Sequence, residues 1–173
     1  ILADDMGLGK TLQTIAFLLS QKETTGLKSP ALIICPTSLV SNWVKEINRF
    51  APDLNVLVSH GASRKNIFNQ ISSADCVITT YPLITRDNTV YEELHFSHVI
   101  LDEAQTIKNN QAKISRAVKA LSSDFNLCLT GTPVENNLKE LKSLLDFAMP
   151  GLIGSMAQFK TYYQVPIEKE HNE

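Results

Sequence analysis

The sequence predicts an α/β fold, an open parallel sheet with helices on both faces. Three observations predict it. Short runs of about five residues, apolar nearly throughout, recur along the chain. They do not alternate, so each strand is buried on both faces, as in a parallel sheet covered on either side. Between them lie segments with apolar residues at helical spacing, and such alternation of strand and helix calls for right-handed crossovers.

The elements follow in order. Ile1 and Leu2 are all there is of a strand feeding a glycine-rich turn at residues 4–11. Leu12, Ile15, Ala16 and Leu19 then mark an amphipathic helix. A strand at 31–35 (ALIIC) leads to a helix marked by Val40, Trp43, Val44 and Ile47. A strand at 55–59 (NVLVS) precedes a weaker helical pattern over 64–72, and a strand at 76–80 (CVITT) follows. Residues 82–94, with Pro82 at their start, fit no single pattern. A strand at 98–102 (HVILD), a helix carrying Ile114, Ala117, Val118 and Leu121, and a strand at 126–130 (NLCLT) come next. Leu138, Leu141, Leu144, Leu145 and Ala148 mark a long helix, and a last helix is expected over about 155–163. The chain opens inside a motif, without methionine, and ends in a polar stretch. The expectation is a piece of a longer protein that lacks most of its first strand.

Composition narrows the function classes. At 173 residues and 19.2 kDa the chain is the size of one domain and long enough to bury a core without disulfides or metal. Its 43% hydrophobic and 20% charged residues exclude extended disorder as the main state. A net charge of −2 and pI near 6.1 exclude a globally basic nucleic-acid coat, so any such contact is local. Cys35, Cys76 and Cys128 sit singly in apolar runs with no zinc spacing, which reads as buried, reduced thiols. No run reaches the length of a membrane span and no secretory signal is visible. The expected location is the cytoplasm or nucleoid of a bacterium or the nucleus of a eukaryote, with no membrane and no secretion.

Two motifs carry chemistry. In DDMGLGKT (4–11), Gly7 and Gly9 let the backbone approach a phosphate, and the helix start offers N–H groups. Lys10 supplies a cation for the β/γ-phosphates and Thr11 a hydroxyl for Mg²⁺. Asp4 stands where the strict phosphate-loop pattern has its first glycine, so GKT alone also fits a glycine turn capping a helix. The second motif changes that balance. HVILDEAQ (98–105) ends an apolar strand in Asp102-Glu103, and ligands of open parallel sheets sit at the carboxyl ends of strands. Asp102 suits the metal side and Glu103 the orientation and deprotonation of an attacking water. Together the two motifs spell an ATPase site.

DDMGLGKT, CPTSLVSNW, VITTY, LDEAQTIKN and LTGTPVENNLKELKSLLDF resemble, in order and over nearly the whole chain, motifs I, Ia, Ib, II and III of the Swi/Snf-type DNA-translocating ATPases of helicase superfamily two. That family reads D-E-M-G-L-G-K-T, so an acid at position 4 fits; Asp5 replaces the usual Glu, and Gln105 replaces the histidine of a DEAH box, a variant the family contains. The resemblance implies the first of two RecA-like lobes, a P-loop NTPase fold, over residues 1–150. It also implies the start of a helical insertion over 151–173. It implies that Asp5, Met6, Gly7, Leu8, Gly9, Lys10 and Thr11 bind ATP, with Thr11 and Asp102 on Mg²⁺. Lys10, Asp102 and Glu103 are then catalytic. Gln105, Thr130, Gly131 and Thr132 couple nucleotide to DNA, with a Gln105 amide able to reach motif III. The implied partners are the backbone of duplex DNA, contacted without base readout, and a second RecA-like lobe.

Pro36, Thr37, Ser38, Thr80 and Tyr81 are the candidate DNA contacts, since hydroxyls and N–H groups at a helix start suit a phosphate. Helix capping is an equal reading for Thr37 and Ser38. Asn42 and Trp43 match the family's motif, but Trp43 also fits an apolar helix face, and core packing is the better reading for it. Lys45, Arg49, Arg64 and Lys65 read as solvated charges, and His60, His95, His98 and His171 show no ligand spacing. An ATP-binding switch without hydrolysis and an RNA helicase of the same superfamily remain the alternatives.

Overall fold

The computed structural model describes residues 1–109, 112–133 and 138–169. Helix α1 (Lys10–Thr24) follows the glycine-rich turn. Strand β1 (Ala31–Cys35) leads through a tight turn at Thr37–Leu39 into α2 (Val40–Phe50). Strand β2 (Val56–Val58), a run of tight 3-10 turns at Ala62–Ser73, and β3 (Cys76–Thr80) follow. Two short helices, α3 (Tyr81–Arg86) and α4 (Asn88–Glu92), lead to β4 (His95–Leu101). Then come a single turn at Ala104–Ile107, α5 (Lys113–Lys119), β5 (Ser122–Cys128) and α6 (Leu138–Ala148). The chain closes with α7 (Met156–Phe159), a widened turn at Lys160–Gln164 and α8 (Val165–Lys169).

The strands form one sheet in the order β2-β3-β1-β4-β5, parallel in every pairing. Leu2 adds an isolated parallel bridge to Leu129, beyond β5. Residues of β1 explain the unbroken apolar runs. Ala31, Ile33 and Cys35 pack against α1 and α2 through Ile15, Leu18, Trp43 and Ile47. Leu32 and Ile34 face the opposite layer, with Tyr81, Ile84, Val118, Leu144 and Phe147. Both faces are therefore covered, as the sequence implied. Cys35, Cys76 and Cys128 are buried and free, and burial pushes each thiol up to about 12.

Four local expectations are corrected. Strand β4 begins at His95 and β5 at Ser122, each earlier than the apolar runs, because backbone pairing extends into residues with polar side chains. Residues 64–72 form tight 3-10 turns rather than an α-helix. The last helix runs beyond 163 and is interrupted. Ser155 and Gln158 form a capping box at its start, and Pro166, which lacks an N–H, follows the widened turn. Arg64 is not a solvated charge: it is buried and makes a two-pronged pair with Asp87 at 2.6 and 3.0 Å, its third contact going to the Gly61 carbonyl. His171 and residues 134–137 of the LTGTPVENNLKELKSLLDF stretch lie outside the described residues.

Candidate functional site

The phosphate loop takes the conformation its glycines permit. Gly7 and Gly9 have φ of 86° and 78°, in the left-handed region that side chains disfavour. Gly9 is the N-cap of α1 and makes no side-chain cap hydrogen bond, so the first-turn N–H groups are not satisfied by a capping side chain. Lys10 Nζ donates to the carbonyls of Asp4 (2.6 Å) and Asp5 (3.0 Å), cinching the loop on itself. The Gln13 amide donates to the Leu8 carbonyl at 3.1 Å. Asp5 and Leu8 thus shape the loop through their carbonyls, while Met6, Gly7, Gly9, Lys10 and Thr11 line the cleft itself.

Asp102 and Glu103 line the same cleft, of about 380 Å³, from the carboxyl end of β4. Asp102 is 8% exposed. Its Oδ1 accepts from the Glu103 N–H (3.0 Å) and its Oδ2 from Trp43 Nε1 (2.8 Å). Burial pushes the Asp102 carboxyl above the usual carboxylate range. The indole bond opposes this, the neighbouring Glu103 charge adds to it, and the Glu103 N–H and Lys10 also oppose. Glu103 has φ 51° and ψ 53° and is the one non-glycine residue at positive φ among the described residues. A bulky residue in that region is a strained one, of the sort that clusters at functional sites.

Gln105 ties this acid to the third motif. Its Nε2 donates to Glu103 Oε2 at 2.6 Å, and its Oε1 accepts from Thr130 Oγ1 at 2.9 Å. The Thr132 N–H donates in turn to Thr130 Oγ1 at 3.1 Å. Gly131 lies against the phosphate loop: a Cβ there would stand 3.3 Å from Met6 Cγ. So the residues the sequence grouped as phosphate loop, acid pair and coupling motif meet in one place.

The oxygen donors fit Mg²⁺. Thr11 and Asp102 offer a hydroxyl and a carboxylate across one cleft, and Mg²⁺ in nucleotide sites takes one or two protein oxygens with the rest from phosphate and water. Among the described residues no group of three or more His, Cys, Asp or Glu forms an all-protein metal cage.

The candidate DNA residues divide. Thr37 and Ser38 are exposed, and the cap positions of their turn and of α2 are held by Pro36 and Leu39, so neither hydroxyl is spent on capping. Thr37 lines a second cleft of about 380 Å³ with His60, Gly61, Arg64 and Arg86, at the carboxyl ends of β1, β2 and β3; Thr80 borders this cleft but is itself buried, 1% exposed. Tyr81 is corrected. It is 3% exposed, and its hydroxyl donates to the Asp102 carbonyl at 2.7 Å, so the side chain is not presented to a DNA backbone. Sequence reasoning missed Trp43 and Tyr81 as donors to Asp102. The available signal was that a buried indole N–H or phenol needs an acceptor.

A parallel sheet with a glycine-rich loop at a helix start and an acid pair at a strand end is the arrangement of P-loop folds. Comparison with known proteins narrows it. A family model described as SNF2-related domain matches residues 1–173, and the chain belongs to that family. YwqA of Bacillus subtilis is 44% identical over 175 residues, covering 99% of this chain and 19% of that protein. The TATA-binding protein-associated factor MOT1 of Saccharomyces cerevisiae is 40% identical over 185 residues, covering 99% of this chain and 10% of MOT1. A solved Sulfolobus solfataricus SWI2/SNF2 ATPase core in complex with dsDNA superposes with a TM-score of 0.90 at 45% identity, over 99% of this chain and 36% of that one. The chain therefore spans about a fifth or less of these curated relatives and about a third of the solved core.

Proposed function

We propose that the chain is the first RecA-like lobe, residues 1–150 with the start of a helical insertion at 151–173, of an ATPase that moves along duplex DNA. The observation that carries the reading is the convergence of Lys10 and Thr11 with Asp102 and Glu103 in one cleft, with Gln105 bridging Glu103 to Thr130. The loop N–H groups, Lys10 and Thr11 hold the ATP phosphates, and Lys10 exchanges its bonds to the loop carbonyls for phosphate oxygens. Asp102 and Thr11 hold Mg²⁺, which when bound neutralises phosphate charge. Glu103 orients the attacking water and takes its proton. Its Oε2 is held by Gln105, which leaves Oε1 for the water. Thr130 fixes Gln105, and Gly131 and Met6 link that motif to the loop. A second lobe supplies the arginine that stabilises the transferring phosphoryl group, which in related chemistry is worth about 10³–10⁵ in rate.

Duplex DNA as partner is supported by the dsDNA held by the Sulfolobus relative and by the exposed Thr37 and Ser38 beside the cleft of His60, Thr80 and Arg86. Backbone contacts of this type carry no sequence information. Lys142, 3% exposed, donates to Asp146 Oδ1 (2.6 Å) and the Gly154 carbonyl (3.1 Å), which supports an insertion anchored on α6.

Glu103→Gln in the full-length protein tests the reading. The amide keeps the shape and removes the proton acceptor. ATP affinity is retained while hydrolysis slows by about 10²–10⁴, the range for loss of a general base. Turnover at the wild-type rate would remove Glu103 from that role.

A further inference from the structure

Trp43 is the one tryptophan of the chain and is fully buried on α2. Packing accounts for its ring, which lies among Ile33, Ile47 and Ile78 in the layer between α2 and the sheet. Packing does not account for where its N–H goes. Of the acceptors near that layer, the indole meets the carboxylate of Asp102, at 2.8 Å. On the other side of the sheet, Tyr81 donates its hydroxyl to the main-chain carbonyl of the same residue at 2.7 Å, and the Glu103 N–H takes the remaining carboxylate oxygen. Each carboxylate oxygen thus accepts one hydrogen bond from the protein, and a carboxylate has about four lone-pair directions, so one direction per oxygen is left for the cleft. The rotation of the carboxylate plane is set from two sides by fixed donors.

Their origin matters. Trp43 stands on the helix that follows the exposed Thr37 and Ser38, and Tyr81 opens α3 directly after Thr80. The two segments at the candidate DNA face each send one aromatic donor to the same acid of the nucleotide site.

We propose that Trp43 is a positioning residue for the nucleotide site: its N–H holds the Asp102 carboxylate in the orientation that receives Mg²⁺ with the nucleotide. The proposal rests on the reading of Asp102 as the metal-side acid. Groups that orient a metal-binding carboxylate from behind are worth about 10–100-fold in metal affinity or activity.

The test is calorimetry of ADP binding to the full-length protein with and without Mg²⁺, for wild type and Trp43→Phe. Phenylalanine keeps an aromatic ring in the layer and removes the donor. The expected result is an unchanged ADP affinity without metal and a Mg²⁺-dependent gain reduced by about 10–100-fold, recovered at high Mg²⁺. An unchanged gain overturns the proposal. So does an equal loss with and without metal, which is what a packing defect produces. A wild-type protein whose ADP affinity ignores Mg²⁺ would sink the reading of the site itself, and the proposal with it.

A second measurement avoids reliance on the fold of one variant. In protein labelled with 5-fluorotryptophan, the ¹⁹F resonance of Trp43, assigned by its loss in Trp43→Phe or Trp43→Tyr, shifts when Mg²⁺ is added to the ADP-bound protein. It stays in place when Asp102→Asn is treated in the same way. A Trp43 resonance that does not move while Mg²⁺·ADP binds to the wild type contradicts the proposal.

Discussion

Replacing Gln105 with leucine removes two hydrogen bonds at once while keeping similar bulk. One is the 2.6 Å bond from its amide to Glu103 Oε2, and the other is the 2.9 Å bond from the Thr130 hydroxyl, a group only 1% exposed. A hydrogen bond to a charged partner contributes about 1.5–3 kcal/mol net. If that bond serves to aim Glu103 at the water, its loss appears in the barrier, and at about 1.4 kcal/mol per tenfold the rate falls by about 10–150-fold. Leaving the buried Thr130 hydroxyl without its acceptor costs about 1–3 kcal/mol, and that cost appears in stability. For a chain of this length each kcal/mol lowers the thermal midpoint by about 2–4 °C. Gln105→His keeps a donor and an acceptor on one side chain and stays within a few-fold of wild type. The assay is steady-state ATP hydrolysis by the full-length protein with saturating duplex DNA, alongside nucleotide affinity by calorimetry. Wild-type turnover by Gln105→Leu would show that Gln105 does not aim Glu103, and so would a defect confined to nucleotide affinity.

Two further outcomes are expected. Lys10→Ala weakens ATP binding by about 2–5 kcal/mol, the cost of truncating one partner of a desolvated charge pair, and unchanged affinity by calorimetry would reduce GKT to a helix cap. His98 packs edge-on against Phe17 and Phe125, and burial holds its pKa below the ordinary value of 6.5, a shift that nearby Asp124 partly offsets. Because the unfolded chain then binds the proton more readily, stability falls as pH drops below about 6.5 and levels off below the folded-state pKa. His98→Gln flattens that part of the profile in chemical denaturation, and a slope identical to wild type between pH 6.5 and 5 would contradict it.

What the sequence made legible follows from range. Strands β1 and β3 were readable to the residue because both faces are buried, which writes an unbroken apolar run. Strand β5 starts four residues before its apolar run because its first half, Ser122–Phe125, is mostly polar or exposed, and only pairing with β4 makes it strand. The phosphate loop and the acid pair were legible because glycine spacing and a carboxylate pair at a strand end are local signals. The bond from Trp43 to Asp102 spans 59 positions, and that from Arg64 to Asp87 spans 23. Periodicity placed Trp43 on a buried face and had no means to say which acceptor its N–H would find. Tyr81 failed for the same reason: its place after a strand suggested an exposed contact, and the fold turned it inward to the Asp102 carbonyl.

The proposed role of this chain as the ATP-binding lobe of a duplex-driven ATPase is decided by ATP hydrolysis in the full-length protein with duplex DNA, with RNA, and with neither. The expected result is stimulation by duplex DNA over RNA, fading as salt rises because phosphate contacts release counterions, and no duplex-stimulated turnover by residues 1–173 alone. A full-length protein whose hydrolysis ignores duplex DNA, or a 173-residue chain that turns over ATP on DNA without a second lobe, would contradict it.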